Sequence, residues 1–314
     1  MSGARPEFPG FFLESVGRPP GEGVRLRDYS NFRIGGPADY FFEASTAVEL
    51  KSSIRAARRA DVPIYVIGGG YNLLFDDEGF RGLIIKNSTR GLALLDRGGL
   101  VRAASGTPLG DLVEFAADNG LGGLEFSAGI PGTVGGAVFG NAGAFGQAVG
   151  DRLEDGSLLG EDGRETRASR EYFCFAYRHS QLKIDRACLL EAEFRLSPGN
   201  REEIRAKIAE NLAVRARKHP PELTACAGSY FKNPAKEGGA HTAGYLLEQV
   251  GARGLAMGGA AIFPGHCNFL INANDASARD VLALAAELKK RVREKFGVSL
   301  EEEVIFLPAV LPRR

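Results

Sequence analysis

A triple glycine is the first feature of this sequence whose residue types and spacing indicate a chemistry. Residues 67–74 read IGGGYNLL and follow a short apolar run that is typical of a buried strand. Glycine permits a positive φ angle and a close ligand, and successive exposed N–H groups in such a turn bind anions. We predict a phosphate site here, with a plain tight turn as the alternative. The segment is not a Rossmann fingerprint, because Leu73 stands where G-x-G-x-x-G needs its third glycine.

A second glycine-rich segment covers residues 127–146 and reads SAGIPGTVGGAVFGNAGAFG, with seven glycines and no charged residue. A flexible linker would carry serine, lysine and glutamate where this segment has Ile130, Val134 and Val138. The composition favours main chain pressed against a large flat ligand, although a packed turn without a ligand is an alternative. Two phosphate-binding loops in one chain predict a bound dinucleotide.

The composition excludes several classes of protein. The 314 residues include 39 Lys plus Arg and 39 Asp plus Glu, so the net charge is zero and nucleic acid or anionic membrane is not an expected partner. No apolar run reaches the roughly 20 residues of a membrane helix. The four cysteines are far apart and form no C-x-x-C pair. We therefore expect a cytoplasmic protein with reduced thiols and no metal site.

The first third of the chain reads as a small α/β unit. Residues 1–24 are expected to be a loosely ordered lead-in, and residues 25–88 the first part of the dinucleotide site. Thr46 followed by Glu49 has the spacing of a capping box, and Leu50, Ile54 and Ala57 recur on one helical face. Short strands are predicted at residues 64–67 and 82–86.

The rest of the chain divides at residues 197–200, where the composition changes. Residues 89–198 contain a predicted helix over 108–118, hairpins over 91–103 and 155–167, and a strand over 189–194. Residues 199–314 contain a helix that begins at Asn200 and carries Ile204, Ile208 and Leu212 on one face. A second helix begins at Ser277 with Asp280 as its capping partner, and a strand is predicted over 300–307.

Five motifs occur in the order GGGYNLL, GLGGLEFSAGIPGTVGGAVFGNAGAFG, YRHSQLK, AGSYFKNP and LEEEVIF. Together they resemble the UDP-N-acetylenolpyruvoylglucosamine reductases, the MurB flavoenzymes of peptidoglycan synthesis, over roughly residues 25–308. The resemblance implies an α+β protein. The implied fold has a two-part FAD-binding region of the vanillyl-alcohol-oxidase type, followed by an α/β substrate-binding domain. The short spacing from Arg178 to Ser229 resembles the subgroup that lacks an inserted tyrosine loop.

The resemblance also implies a reaction. NADPH reduces non-covalently bound FAD, and the flavin reduces the enolpyruvyl group of a UDP-sugar to a lactyl ether. The product serves cell-wall synthesis, and through it cell shape and division. The expected ligand besides the cofactors is a small sugar nucleotide, and no protein partner is evident. A related FAD-dependent oxidase or reductase acting on another sugar is the alternative, and a third is a nucleotide-binding regulator without catalysis.

Site residues follow from the resemblance, position by position. Ser229 is implied as the proton donor and Arg178 as the group that binds the substrate carboxylate. Glu303 shares the electrostatic role, with Glu301 as its competitor on the same face of the predicted strand. Lys218, Asn233, His266 and Lys289 are implied to contact substrate. The residues implied for FAD are Gly68, Gly69, Gly70, Tyr71, Asn72, Leu73, Ser127, Gly129, Ile130, Pro131, Gly132, Gly135, Gly136, Ala137, Asn141 and Gly143.

Taken singly, these residues also have ordinary structural interpretations. Arg178 can be a salt-bridge residue, Ser229 a turn or cap residue, and Lys289 a solvated lysine on a helix. Four positions depart from the family pattern and leave open a paralogue with another substrate. These are Tyr71 for serine, Gly140 for methionine, Phe263 for serine or histidine, and Lys289 for arginine.

Overall fold

The computed structural model describes residues 7–221, 223–234 and 241–311. In this part of the chain the structure has mixed α and β content, with three sheets of three or more strands. No helix among these residues combines the length and the apolar character that crossing a bilayer requires.

The first region is a four-stranded sheet covered by helices. Its strand order is β1-β2-β5-β3, with β1 antiparallel to β2 and with β2 and β3 both parallel to β5. The elements are α1 (Phe8–Val16), β1 (Gly21–Arg25), β2 (Pro37–Ala44), α2 (Ala47–Arg59), β3 (Ile64–Ile67), β4 (Leu73–Phe75) and β5 (Phe80–Asn87).

Helix α2 has the predicted capping box. The Thr46 side chain accepts a hydrogen bond from the Glu49 N–H, and the Glu49 carboxylate accepts one from the Thr46 N–H. Its predicted face, Leu50, Ile54 and Ala57, is fully buried. The helix therefore begins and packs as its sequence predicts.

The expectation of a loosely ordered lead-in is wrong for the residues that are described. Phe8–Val16 forms helix α1, and Phe8 and Phe12 are buried against Tyr40 and Phe42 of strand β2. Burying these rings gives the segment apolar contacts that a lead-in would lack. Residues 1–6 of the predicted lead-in lie outside the described residues.

The second region is built on a five-stranded antiparallel sheet of order β12-β11-β13-β7-β6. The predicted hairpins, strand and helix are all present. The elements are β6 (Leu92–Leu94), β7 (Leu100–Ala104), α3 (Leu109–Asp118), β8 (Leu121–Gly122), α4 (Val134–Gly140), β9 (Gly143–Ala144), β10 (Gln147–Ala148), β11 (Leu153–Leu159), β12 (Glu165–Ser169), β13 (Cys188–Arg195) and β14 (Ser197–Pro198).

The third region packs two helices on a three-stranded sheet of order β15-β16-β17. Helix α7 begins at the predicted Ser277 capping box and ends before Gly297, which has a φ of 69°. The elements are α5 (Arg201–Lys218), α6 (Ala243–Gln249), β15 (Ala256–Met257), β16 (Ala260–Ile262), β17 (Leu270–Asn272), α7 (Ala278–Phe296) and β18 (Ile305–Leu307).

Two features join the regions. Ile204 and Ile208 of α5 belong to the core of the second region. Helix α5 therefore packs on the region that precedes it in the sequence. Strand β18 pairs in parallel with β4 of the first region. The chain therefore returns at its end to the strand that follows the triple glycine.

Candidate active site

A single large cavity contains most of the predicted site residues. Its volume is about 3220 Å³, and both glycine segments, the end of α5 and the loops around Ser229 and Glu303 line it. The predicted residues that line it are Gly68, Gly69, Gly70, Tyr71, Asn72, Leu73, Gly129, Ile130, Pro131, Gly132, Gly135, Gly136, Ala137, Gly143, Arg178, Lys218, Ser229 and Glu303.

The triple glycine forms a loop that only glycine can form without moving its neighbours. Gly70 has a φ of 72°, and a Cβ atom there would lie 2.0 Å from the Tyr29 carbonyl oxygen. Within the described residues, the N–H groups of Gly69, Gly70, Tyr71 and Asn72 donate no hydrogen bond. Four neighbouring donors on a cavity wall fit the negative oxygens of a diphosphate.

The second glycine segment packs directly against the first, since a Cβ atom on Gly68 would lie 2.4 Å from the hydroxyl oxygen of Thr133. Gly135 packs so closely on Ser105 that an added Cβ would lie 3.0 Å from its carbonyl oxygen. The Tyr71 ring lies over the Cα of Gly69, and its edge reaches toward Gly132. The segment is therefore closely packed, and its glycines, together with helix α4, form part of the cavity wall.

Arg178 lies at the tip of a tight turn in which Ala176 and His179 exchange main-chain hydrogen bonds of 3.0 and 3.2 Å. Its φ of 53° is in the left-handed region, which costs a non-glycine residue about 1–2 kcal/mol. The Lys183 ammonium donates to the Arg178 carbonyl oxygen at 2.8 Å and braces the turn. Backbone strain of this kind is concentrated at functional sites.

Glu303 is held by main-chain bonds on both sides. Its N–H donates to the carbonyl oxygen of Tyr230 at 2.8 Å, and its own carbonyl oxygen accepts from the Asn72 side-chain amide at 3.1 Å. Tyr230 directly follows Ser229. These two bonds therefore place Glu303 beside both Ser229 and the triple-glycine loop.

The carboxylate of Glu303 pairs with Arg178. Its Oε1 lies 2.5 Å from the Nε of Arg178, and the two side chains are only 18% and 23% exposed. The Nε atom of Arg178 is buried against this carboxylate, although its N–H is not well aligned for a hydrogen bond, so the contact is an ion pair. Burial raises the pKa of Glu303 above its ordinary value, and the nearby Arg178, Lys183 and Lys232 oppose that rise.

Comparison with known proteins decides the family. Residues 38–169 match the model of an FAD binding domain, and residues 219–307 match that of the UDP-N-acetylenolpyruvoylglucosamine reductase C-terminal domain. The reductase of Solibacter usitatus is 40% identical over 298 residues, which are 89% of this chain and 94% of that protein. The reductase of Lachnoclostridium phytofermentans is 39% identical over 283 residues, covering 89% and 90% of the two chains. The chain belongs to the UDP-N-acetylenolpyruvoylglucosamine reductase family.

A solved structure of this family has the same fold. The reductase from Thermus caldophilus superimposes with a TM-score of 0.76 at 35% identity, over 91% of this chain and 98% of that one. The resemblance drawn from the five motifs and the expected FAD-binding region are thereby confirmed. The missing tyrosine loop stays a prediction.

Two residues implied for FAD in this reductase family do not line the cavity. Ser127 is fully buried, and its hydroxyl donates to the Leu124 carbonyl oxygen at 2.7 Å. Asn141 ends α4 with a φ of 44°, and its side chain donates to Ala176 and accepts from Gly150. Both side chains bond within the protein and shape the second glycine segment, and contact of these two residues with FAD stays a prediction.

The strand predicted over residues 300–307 is shorter in the structure and covers only Ile305–Leu307. The three glutamates that precede it are paired instead with residues 230–232, through an antiparallel bridge between Phe231 and Glu302. Glu301 is 75% exposed and pairs with Lys232, and Glu302 pairs with Lys289. Of the three carboxylates, Glu303 is the one that lines the cavity.

Three of the four implied substrate contacts lie outside the cavity lining. The Asn233 side chain accepts a hydrogen bond from the Ala243 N–H, and His266 Nδ1 accepts one from the Asn268 N–H. The Lys289 ammonium lies 2.9 Å from the Glu302 carboxylate. Lys218 does line the cavity, near the end of α5.

Three basic residues of the site were not predicted from the sequence. Lys183 and Arg215 line the cavity, and burial lowers the pKa of both. Burial also lowers the pKa of His219 to about 4, with help from Arg215, His266 and Lys218. The YRHSQLK motif contains Lys183, and Arg215 precedes Lys218 by one helical turn. Both signals were therefore present in the sequence.

The departures from the family pattern fall in different places. Tyr71 and Phe263 line the cavity, where Phe263 packs on Gly265. Gly140 also lines it, and open space surrounds the position of its missing Cβ. Lys289 is the one of the four that does not line it. Three of the substitutions therefore alter the cavity surface itself.

Proposed function

We propose that this protein reduces the enolpyruvyl group of UDP-N-acetylenolpyruvoylglucosamine to the lactyl ether of UDP-N-acetylmuramate. NADPH is the reductant in this proposal, and FAD is the hydride carrier. The observation that carries the proposal is that Arg178, Ser229 and Glu303 come together beside the triple-glycine loop. The Glu303 N–H donates to the Tyr230 carbonyl oxygen, and the Asn72 side-chain amide donates to the Glu303 carbonyl oxygen, which supports that arrangement.

The residues present fit FAD. Unpaired N–H groups at Gly69, Gly70, Tyr71 and Asn72 would hold its diphosphate, and the second glycine segment, which also lines the cavity, would contact its rings. When bound, FAD supplies hydride transfer, which no side chain can perform. The protein supplies position and charge.

Arg178 has the chemistry to bind the substrate carboxylate. Hydride addition to the enolpyruvyl double bond places negative charge on that carboxylate, and a guanidinium stabilises it through directed N–H donors. The carboxylate of Glu303 holds the guanidinium by charge at its Nε atom, and Arg178 lines the cavity. The arginine is therefore oriented before substrate arrives.

Ser229 has the position to donate the proton that completes the reduction. Its half-buried side chain lines the cavity, and its hydroxyl makes no hydrogen bond to another described residue. A serine hydroxyl is a weak acid, so it can serve only a strongly basic carbanion in a prearranged site. The adjacent Glu303 and Arg178 provide that setting.

Lys218, Lys183 and Arg215 give the cavity a positive wall. Lys218 lies at the end of α5 and is the proposed contact for the substrate diphosphate. A soluble sugar nucleotide as substrate and four free thiols fit a cytoplasmic enzyme of cell-wall synthesis.

The test is a pair of rapid-mixing experiments on the purified holoprotein. We expect a yellow protein whose flavin absorbance is bleached by NADPH and restored by UDP-N-acetylenolpyruvoylglucosamine. Restoration by a different enolpyruvyl or sugar substrate, with no response to this one, would support the alternative of an altered substrate. A folded protein that binds no flavin would overturn the proposal.

A further inference from the structure

We infer that Asn31 is a positioning residue that fixes Ser229 relative to the triple-glycine loop. The inference rests on the proposed function, because it assigns Asn31 a part in the proton transfer from Ser229. No motif that carries the family resemblance includes this asparagine.

Asn31 bonds to both loops at once. Its main-chain N–H donates to the Gly70 carbonyl oxygen at 3.1 Å. Its side-chain amide donates to the Cys226 carbonyl oxygen at 2.6 Å and lies 3.4 Å from that of Thr224. One residue thus connects the proposed diphosphate loop with the segment that leads into Ser229.

The segment around Ser229 needs such a connection. Residues 227–229 belong to no helix or strand, and Gly228 has a φ of 77° with open space around it. After Ser229, the Tyr230 N–H donates to the Asn268 carbonyl oxygen at 2.8 Å. Before Ser229, Cys226 bridges to Ile271 of the third region, and the Asn31 amide is its bond to the first region.

The two anchors have different consequences. The bonds to Asn268 and Ile271 hold the segment to its own region, whereas the Asn31 bond ties the residues before Ser229 to the residue that bonds Gly70. The residues after Ser229 have a separate connection to the loop, through the bonds from Glu303 to Tyr230 and from Asn72 to Glu303. Removing the Asn31 amide leaves that second connection in place but frees the side of the segment that contains Gly228, so Ser229 can shift against the triple-glycine loop. A misplacement of about 1 Å can slow a reaction by up to a hundredfold.

The experiment compares Asn31→Ala and Asn31→Asp with the wild-type holoenzyme in separate half-reactions. Flavin reduction by NADPH does not use Ser229, and flavin reoxidation by substrate does. We expect reoxidation to slow by about tenfold or more, while reduction and FAD affinity change by less than about twofold. Because proton transfer becomes the slow step, the solvent deuterium isotope effect on reoxidation should rise.

Asn31→Asp adds a signature that a structural defect does not produce. When the new carboxylate in this variant is ionised, it has no hydrogen to donate to the Cys226 carbonyl oxygen. When it is protonated, its O–H can donate to that oxygen as the asparagine amide does. Its reoxidation rate relative to wild type should therefore recover as the pH falls toward about 5. Asn31→Ala should show no such recovery.

Asn211→Ala is the matched control, because it removes a buried amide donor to the Glu125 carbonyl oxygen without touching either loop. It should lower the melting temperature and leave the ratio of the two half-reactions unchanged. Equal slowing of both half-reactions by Asn31→Ala, or loss of FAD affinity, would overturn the inference. If wild-type flavin is not reoxidised by substrate, the proposed function itself fails.

Discussion

Arg178 and Glu303 are held together across 125 positions of sequence, with Nε and Oε1 2.5 Å apart in a largely buried pair. Each residue is also fixed through its own main chain, Arg178 in a strained turn and Glu303 by bonds to Asn72 and Tyr230. The pair is therefore rigid, which suits a group that must stabilise charge as it develops.

Replacing Ser229 should separate the two half-reactions. In Ser229→Ala we expect flavin reduction by NADPH to continue and flavin reoxidation by substrate to slow by about a hundredfold or more, because the proton donor is gone. Rapid-mixing absorbance of the flavin measures both steps. Ser229→Cys should slow reoxidation less than Ser229→Ala, since a thiol can still donate a proton. Similar rates in Ser229→Ala and wild type would contradict the role.

The pH dependence of reoxidation should report Glu303. Only the ionised carboxylate holds Arg178 by charge, and burial raises the pKa of Glu303 above 4.5. As the pH falls, the rate should therefore drop with an apparent pKa higher than that of an ordinary glutamate. In Glu303→Gln the reoxidation rate should be low at every pH, and it should not show this decrease in acid. A wild-type acid limb that persists in Glu303→Gln would assign it to another group.

Gly70 should be irreplaceable for flavin binding. In Gly70→Ala the new Cβ would lie 2.0 Å from the Tyr29 carbonyl oxygen, so the loop must move. We expect the free energy of unfolding to fall by about 3 kcal/mol or more and the purified protein to be colourless. Gly146→Ala is the control, since its φ of 77° is similar but nothing lies within 4 Å. Gly146→Ala should lower the free energy of unfolding by about 1 kcal/mol, and the protein should keep its flavin. Denaturant unfolding and flavin absorbance measure the two effects, and equal behaviour would contradict the clash.

Lys218 and Lys289 should behave differently. Lys218→Ala should raise the KM for the sugar nucleotide by about tenfold or more, because a charged contact to the diphosphate is lost. Lys289→Ala removes only an exposed pair with Glu302, so its KM should change by less than about twofold and its stability by less than about 1 kcal/mol. Steady-state kinetics decides between them, and a large KM effect at Lys289 would restore it as a substrate contact.

His219 should make the protein less stable in mild acid. Its pKa is about 4 when folded and 6.5 when exposed, so the unfolded chain binds more protons between these values. Stability from this group is complete above pH 6.5 and falls as the pH drops toward 4. Between pH 7.5 and pH 5, roughly the range in which histidine titrates, the melting temperature of His219→Gln should therefore fall less than that of wild type. An identical loss in both proteins would contradict this assignment.

Local signals in the sequence were sufficient for elements whose stability is local. Thr46 and Ser277 marked the starts of α2 and α7 because a cap and its partner lie within one turn. The glycine segments indicated the proposed cofactor loops, since their composition is unlike that of a flexible linker. The apolar spacing of Phe8 and Phe12 was overlooked, and it is the signal that could have indicated α1.

The remaining contacts depend on residues that only the tertiary fold brings together. Asn31 meets Cys226 and Lys289 meets Glu302 through side chains, and no spacing rule predicts such pairs. The side chains of Ser127 and Asn141 do not line the cavity, because they bond to Leu124, Ala176 and Gly150, and the sequence alone does not indicate these partners. Glu301, Glu302 and Glu303 differ in role because each pairs with a different basic residue.

The parallel pairing of β4 with β18 has a consequence for biosynthesis. The loop that precedes β4 is translated about 230 residues before the partner strand of β4. A nascent chain therefore cannot complete the proposed flavin pocket until residues 305–307 have left the ribosome, and cofactor loading must follow that point. Ribosome-bound chains stalled before residue 300 should accordingly retain no flavin, whereas released chains should acquire it.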